Sequence, residues 1–307
     1  MLYLYTQDQP ERYQQLLREA LPEIDIACWP QEVDAKAVTH AAVWSPPEGF
    51  FARFPRLQAV FALGAGVDKL LRHKELSPQV SLIRLTDTGM AQQMREYCLY
   101  GLLHYQRGMD IYRQQQSAGR WVQHPTRQAA EVRVSILGMG ELGSRVAQDL
   151  VDRGYRVTGW RRQSHAHETI PCVHGLAALP ALLRNTDVLF CVLPDTPETR
   201  HLLNAERLAL LPSDAALINA GRGSLIDEAA LLDHLDKGHL RFAMLDVFAT
   251  EPLAPDHPFW HHPRLILTPH VAADTILEEA VRQIAARLRA LSSGQPVNGL
   301  VDRQRGY

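Results

Sequence analysis

At 307 residues the chain is long enough for two domains. Its formal net charge of −2 leaves no electrostatic footprint for nucleic acid or an anionic membrane, and neither is expected as a partner. No apolar run approaches the roughly 20 residues of a spanning helix, and the start lacks the basic and apolar regions of a signal peptide. The four cysteines (Cys28, Cys98, Cys172, Cys191) are scattered with no C-x-x-C pair, so a cytoplasmic protein with reduced thiols is expected.

The first hundred residues alternate short strands and helices. Strands are predicted at 2–6, 25–29, 41–44, 57–63 and 81–85, with a helix at 11–20. This pattern makes a small α/β unit with a parallel sheet. Leu63-Gly64-Ala65-Gly66-Val67-Asp68 ends one of these strands. Its small residues suit either a backbone nest for an anion or an ordinary strand-to-helix turn. Met94, Tyr97, Cys98, Gly101, Leu102, Tyr105, Met109 and Tyr112 then recur at helical spacing, predicting one long helix over 90–118 that leads into a second domain.

A strand over 131–137 (EVRVSIL) runs directly into Gly138-Met139-Gly140-Glu141-Leu142-Gly143. A helical pattern comes next, with Leu142, Val146, Leu150 and Val151 apolar. In this strand–turn–helix context the glycines serve a tight turn, close approach to a pyrophosphate, and close helix packing. The helix N-terminus offers free N–H groups and a positive dipole end to the phosphates. The next strand ends in Trp160-Arg161-Arg162-Gln163-Ser164. An acid here would bond the ribose 2′-hydroxyl of NAD. Two arginines instead suit a 2′-phosphate, with Ser164 adding a hydrogen bond, so NADPH/NADP+ is expected with NADH weaker. The competing reading is a solvated basic loop.

A buried strand over 187–193 is closed by Pro194-Asp195-Thr196-Pro197, so the backbone at Leu193, Pro194 and Thr196 is expected against the nicotinamide end. Three further apolar runs each precede a polar segment. These segments are Asn219-Ala220-Gly221-Arg222-Gly223, Asp246-Val247-Phe248-Ala249-Thr250-Glu251-Pro252 and Thr268-Pro269-His270. Each places a polar residue at a strand's carboxyl end, where open α/β sheets bind ligands. An arginine, a carboxylate and a histidine can clamp an anion, orient an imidazole and move a proton. His165/His167 and His257/His261/His262 fall in loops without a spaced cysteine or carboxylate set, so no metal is expected. A last helix over 275–291, with Ile276, Ala280, Ile284 and Leu288 on one face, is expected to return to the first domain.

Taken in order, GMGELG, LPDTPET, INAGRGSLID, AMLDVFATEPL and TPHVAA resemble the D-isomer-specific 2-hydroxyacid dehydrogenase family over essentially the whole chain. VWSPP, LGAGVD, DTGMAQQMREY, the terminal VDRQRGY and the basic WRRQS resemble its bacterial glyoxylate/hydroxypyruvate reductase A branch. The resemblance implies two Rossmann/flavodoxin-like, doubly wound parallel-sheet domains with an active-site cleft between them. It places a discontinuous substrate-binding domain at 1–98 and 277–307, and an NADP-binding domain at 99–276. It further implies that Arg222 pairs with the substrate carboxylate, that His270 gives a proton to the keto oxygen, and that Glu251 holds the other ring nitrogen. Asp246 would bond the nicotinamide carboxamide. Ala65 and Gly66 would meet the substrate carboxylate, and Trp44 would wall the pocket. The implied substrates are small 2-keto acids, glyoxylate and hydroxypyruvate, and the implied assembly is a homodimer. The competing readings are a reductase of bulkier 2-keto acids and a non-catalytic dinucleotide sensor.

Overall fold

The structure is a computed structural model that describes residues 1–164 and 170–306. It divides into two compact units, 1–90 with 275–307 and 91–274. The division falls at the start of a helix, whereas the sequence boundary was expected inside it.

In the first unit, β1 (Leu2–Tyr5), α1 (Pro10–Ala20), β2 (Ile26–Cys28), β3 (His40–Val43), β4 (Ala59–Ala62), α2 (Asp68–Leu71) and β5 (Ser81–Ile83) succeed one another in chain order. Among the described residues they form a parallel five-stranded sheet, β2-β1-β3-β4-β5. Alternate strand residues sort to opposite faces. Leu2 and Leu4 join one apolar cluster, and Tyr3 and Tyr5 join the other.

The second unit opens with α3 (Met90–Gln106) and α4 (Met109–Ser117). The single helix expected over 90–118 is therefore two. Gly108 adopts φ +65°, a left-handed conformation that ends α3 and starts α4 in a new direction. The apolar face changes with it. Met94, Cys98, Gly101, Leu102 and Tyr105 are buried, whereas Met109 is exposed and α4 buries no residue. At Gly101 a Cβ would come within 2.6 Å of Ile218, so the bare backbone lets α3 lie close on the sheet.

Then come β6 (Arg133–Leu137), α5 (Glu141–Asp152), β7 (Arg156–Arg161), β8 (Cys172–His174), α6 (Gly175–Arg184), β9 (Val188–Cys191), α7 (Ala205–Leu208), β10 (Ala216–Asn219), α8 (Glu228–Asp236), β11 (Phe242–Leu245) and β12 (Leu265–Leu267). They form a parallel sheet in the order β12-β11-β10-β9-β6-β7-β8. From β6 the chain winds outward through β7 and β8, then returns to β9 on the other side. The strand order therefore reverses between β6 and β9, which is the place where such sheets bind ligands. Val188 and Phe190 face one core cluster, and Leu189 and Cys191 face the other. On α5 the buried stripe is Gly143, Val146, Ala147 and Leu150. Val151, expected on that stripe, is exposed.

The chain closes with α9 (Leu277–Ser292), which returns to the first unit and packs Ala280, Ile284 and Leu288 into the same cluster as Leu17 of α1. Ile276, expected on this buried face, is the exposed N-cap residue. Among the described residues no helix is long and apolar enough to cross a membrane.

Candidate active site

The fingerprint turn joins β6 to α5, and its three glycines do three different things. Gly138 lies at φ +111°, and a Cβ there would come within 2.7 Å of the Val192 carbonyl oxygen on the β9 side. A Cβ on Gly143 would overlap the carbonyl of Gly138, so only glycine lets α5 start this close to the turn. At Gly140 a Cβ would meet nothing within 4 Å. The exposed space above Gly140, at the N-terminus of a 12-residue helix, fits a pyrophosphate. Glu141 is exposed and pairs with Arg145 at 2.8 Å, and Leu142 packs partly into the core. The Met139 side chain is buried against Gly159, so Met139 contributes only backbone to this turn.

At the end of β7 the structure separates residues that the sequence grouped. Trp160, expected at the cofactor, is 3% exposed, and its indole N–H donates to the Gly175 carbonyl at 2.9 Å. It is a core residue, because an aromatic on a strand covered on both sides is buried wherever its N–H finds an acceptor. Arg161 is half-buried and donates to the Met139 carbonyl, which ties the basic strand end to the fingerprint turn. Arg162 reaches Glu198 in the turn after β9. Ser164 is exposed. His165 and His167 lie outside the described residues.

After β9, Leu193 and Pro194 are half-buried. Thr196, expected to contact the cofactor, is turned inward. Its backbone N–H donates to the Thr199 hydroxyl at 2.9 Å, and that hydroxyl donates to the Pro194 carbonyl at 2.6 Å. A Cβ on Gly221 would come within 2.7 Å of the Leu193 nitrogen, so the turns after β9 and β10 are in close contact. Ala220 is buried between the end of β10 and this contact.

The reactive groups come from the carboxyl ends of three neighbouring strands, β10, β11 and β12. Asn219 closes β10. It is fully buried, accepts from the Gly221 N–H at 3.2 Å and donates to the Arg222 carbonyl at 3.0 Å. This holds Arg222 in extended backbone, with its half-buried guanidinium donating to the Gly221 carbonyl at 2.7 Å. A Cβ on Gly223 would overlap the carbonyl carbon of Phe248, so the Arg222 turn and the turn leading to Glu251 touch through backbone.

Glu251 uses both carboxylate oxygens. Oε1 accepts from the Phe248 N–H at 3.1 Å, and Oε2 lies 2.9 Å from His270 Nδ1. Glu228 on α8 braces the same turn by accepting from the Ala249 N–H at 2.9 Å. The His270 side chain is 45% exposed and that of Glu251 26%. With Nδ1 engaged, Nε2 is the ring nitrogen left to move a proton.

His270 has φ +57°, a left-handed conformation costing a non-glycine residue about 1–2 kcal/mol. Asp246 supports that conformation. Its carbonyl accepts from the His270 N–H at 2.8 Å, and its carboxylate accepts from Thr268 Oγ1 at 2.6 Å and from the Val271 and Ala272 N–H groups at 2.9 Å each. Asp246 is 1% exposed. This carboxylate therefore organises the His270 loop. Tyr97 of α3 extends the network through a 2.7 Å bond to Thr268, and burial pushes its phenol well above the usual range. Asn219, Gly223, Glu228, Thr268 and Tyr97 were not assigned from sequence.

In the first unit, Trp44 comes directly after β3 and lies over Gly64, where a Cβ would come within 2.6 Å of the indole. It is 47% exposed, so it is not a core tryptophan, and Ala65 and Gly66 beside it are half-buried. Among the histidines weighed for a metal, His257 accepts from the Phe259 N–H at 3.3 Å and lies 3.6 Å from Glu228. His262 lies 3.3 Å from Asp236, and His261 is exposed.

Residues 99–272 match the family model of the D-isomer specific 2-hydroxyacid dehydrogenase, NAD binding domain. The chain is 42% identical over 296 residues to a glyoxylate/hydroxypyruvate reductase A of Serratia proteamaculans strain 568, covering 95% of this chain and 94% of that one. A D-isomer specific 2-hydroxyacid dehydrogenase from Xanthobacter autotrophicus Py2, in complex with NADPH and MES, superimposes with a TM-score of 0.95 at 42% identity over 100% of this chain and 99% of that one. An NADPH-dependent glyoxylate/hydroxypyruvate reductase from Sinorhizobium meliloti, in complex with NADP and sulfate, gives a TM-score of 0.93 at 34% identity over the same shares. With the glycine turn at the strand reversal and the arginine, glutamate and histidine on adjacent strand ends, these likenesses show that the chain is an oxidoreductase belonging to the D-isomer-specific 2-hydroxyacid dehydrogenase family.

Proposed function

We propose that this chain is an NADPH-dependent reductase of small 2-keto acids, glyoxylate and hydroxypyruvate foremost, with His270 as the proton donor. The observation that carries the reading is the 2.9 Å pairing of His270 Nδ1 with Glu251, the latter on the strand end adjacent to that of Arg222. Gly138, Gly140, Gly143 and the N-terminus of α5 would hold the pyrophosphate. Arg161, Arg162 and Ser164 would hold the 2′-phosphate, and the backbone at Leu193, Pro194 and Ala220 would line the nicotinamide end. When bound, the cofactor supplies the hydride.

Arg222 offers parallel donors to the substrate carboxylate. His270 delivers a proton from Nε2 to the carbonyl oxygen in reduction and removes it in oxidation. Glu251 fixes the imidazole's tautomer and direction. Trp44, Ala65 and Gly66 are proposed to contact the substrate. The relatives crystallised with NADPH or NADP support the cofactor reading, and the Serratia and Sinorhizobium enzymes support the substrate class. A homodimer is proposed through the outer face of α3 and the segment after it, where Tyr100, Leu103 and Met109 are exposed and Trp121 is 95% exposed. Light scattering at the mass of a monomer would refute it.

The test of function is initial-rate oxidation of NADPH and NADH against 2-keto acids from glyoxylate to phenylpyruvate. Fast NADPH turnover on the smallest members is expected. Rates that peak on bulky members would overturn the substrate class, and tight dinucleotide binding without turnover would turn the protein into a sensor.

A further inference from the structure

The turn after β9 brings an acid to the basic end of β7. Glu198 Oε2 lies 3.4 Å from Arg162 Nη1, with the carboxylate 56% exposed and the guanidinium 37%. Glu198's own backbone N–H, the Thr196 hydroxyl and the Arg162 charge favour the ionised carboxylate and keep it below the usual carboxylate range. Glu198 is therefore charged at neutral pH. The carboxylate at ion-pair distance offsets part of the guanidinium charge that a phosphate would meet. A phosphate on Arg162 would also lie within a Debye length of the negative charge, about 8 Å at physiological salt.

We propose that Glu198 is a specificity-determining residue that restrains the preference for NADPH. It pairs with Arg162 and opposes the 2′-phosphate, while a neutral 2′-hydroxyl meets no such opposition, so NADH remains usable. This inference rests on reading Arg161 and Arg162 as the 2′-phosphate site. Exposed charge pairs are weak, so the effect is about two- to fivefold in affinity.

The experiment is fluorescence titration of NADPH and of NADH into the whole protein and its Glu198→Gln and Arg162→Ser variants, at about 0.1 M and about 1 M salt. Glu198→Gln is expected to bind NADPH about two- to fivefold tighter and NADH unchanged. The gain should shrink at high salt, where the Debye length is about 3 Å. Unchanged or weaker NADPH binding would overturn the proposal. So would equal shifts for both cofactors, which would mark Glu198 as a brace of its turn. Arg162→Ser separates the two levels of the argument. It is expected to weaken NADPH about tenfold and spare NADH. If both cofactors respond alike, the 2′-phosphate site itself is wrong. If Arg162→Ser behaves as expected and Glu198→Gln does nothing, only the role of Glu198 fails.

Discussion

Asp246→Asn separates two jobs for one carboxylate. Both oxygens of Asp246 accept hydrogen bonds within a site that is 1% exposed: Oδ1 from Thr268 and Val271, Oδ2 from Ala272. An asparagine must replace one oxygen with NH2. In either flip that NH2 faces a backbone N–H, of Val271 or of Ala272. One buried N–H then loses its acceptor, at a cost of about 1–3 kcal/mol. The remaining bonds lose their charge assistance, which roughly halves each. Together these give a destabilisation of about 2–4 kcal/mol. For a unit of the size of 91–274 that lowers Tm by roughly 4–16 °C. The assay is thermal unfolding monitored by fluorescence in the absence of any dinucleotide, with steady-state kinetics in parallel. Activity should fall with stability, because the same bonds hold His270 at φ +57°. A wild-type Tm without cofactor, together with weakened dinucleotide binding, would refute the loop-organising role and restore a direct cofactor contact.

Other outcomes rest on single contacts. Gly223→Ala would force apart the Arg222 and Phe248 backbones, and kcat/KM should fall by about 10²-fold with dinucleotide binding retained. Wild-type kinetics would show that the two turns move freely. Burial alone would raise the Asp187 carboxyl, but the Arg133 side chain and N–H, at 2.6–3.0 Å, hold it below its ordinary value. This contribution is present above the unfolded carboxylate range, about pH 4, and is lost as pH falls through the folded value. Urea midpoints of wild type and Asp187→Asn should therefore differ at pH 7 and converge toward pH 3. A constant gap would contradict the linkage. Cys98 and Cys191 are fully buried and their thiols are pushed up by burial, so both should label with a thiol reagent only after unfolding. Labelling of either in the native protein would contradict this packing.

Much of the site was legible because parallel strands read as short apolar runs, and the residues just past each run lie at the sheet edge. The positions of Arg222, Glu251 and His270 after β10, β11 and β12 needed only that rule. The glycine turn was legible for the same reason, with Gly138 and Gly143 each tied to a separate steric demand and Gly140 open to solvent. The features that escaped depended on partners distant in sequence. The bracing role of Asp246 was not legible because its three side-chain donors come from 268–272, across one strand and a loop. Trp160 continues an alternating strand into a basic loop, and nothing local says that the Gly175 carbonyl accepts its N–H. The helix expected over 90–118 kept its apolar spacing through Gly108, because periodicity does not register a left-handed residue. Cys172–His174 was missed because its three residues are only half-buried at the sheet's edge and carry no apolar run.

His270→Ala tests the central claim most directly, with kcat for NADPH-driven reduction of glyoxylate and the NADPH dissociation constant measured on the same preparation. The account predicts a kcat about 10²- to 10⁴-fold lower with NADPH affinity nearly unchanged, because the imidazole moves a proton and does not hold the dinucleotide. Unchanged turnover with weakened NADPH binding would contradict it.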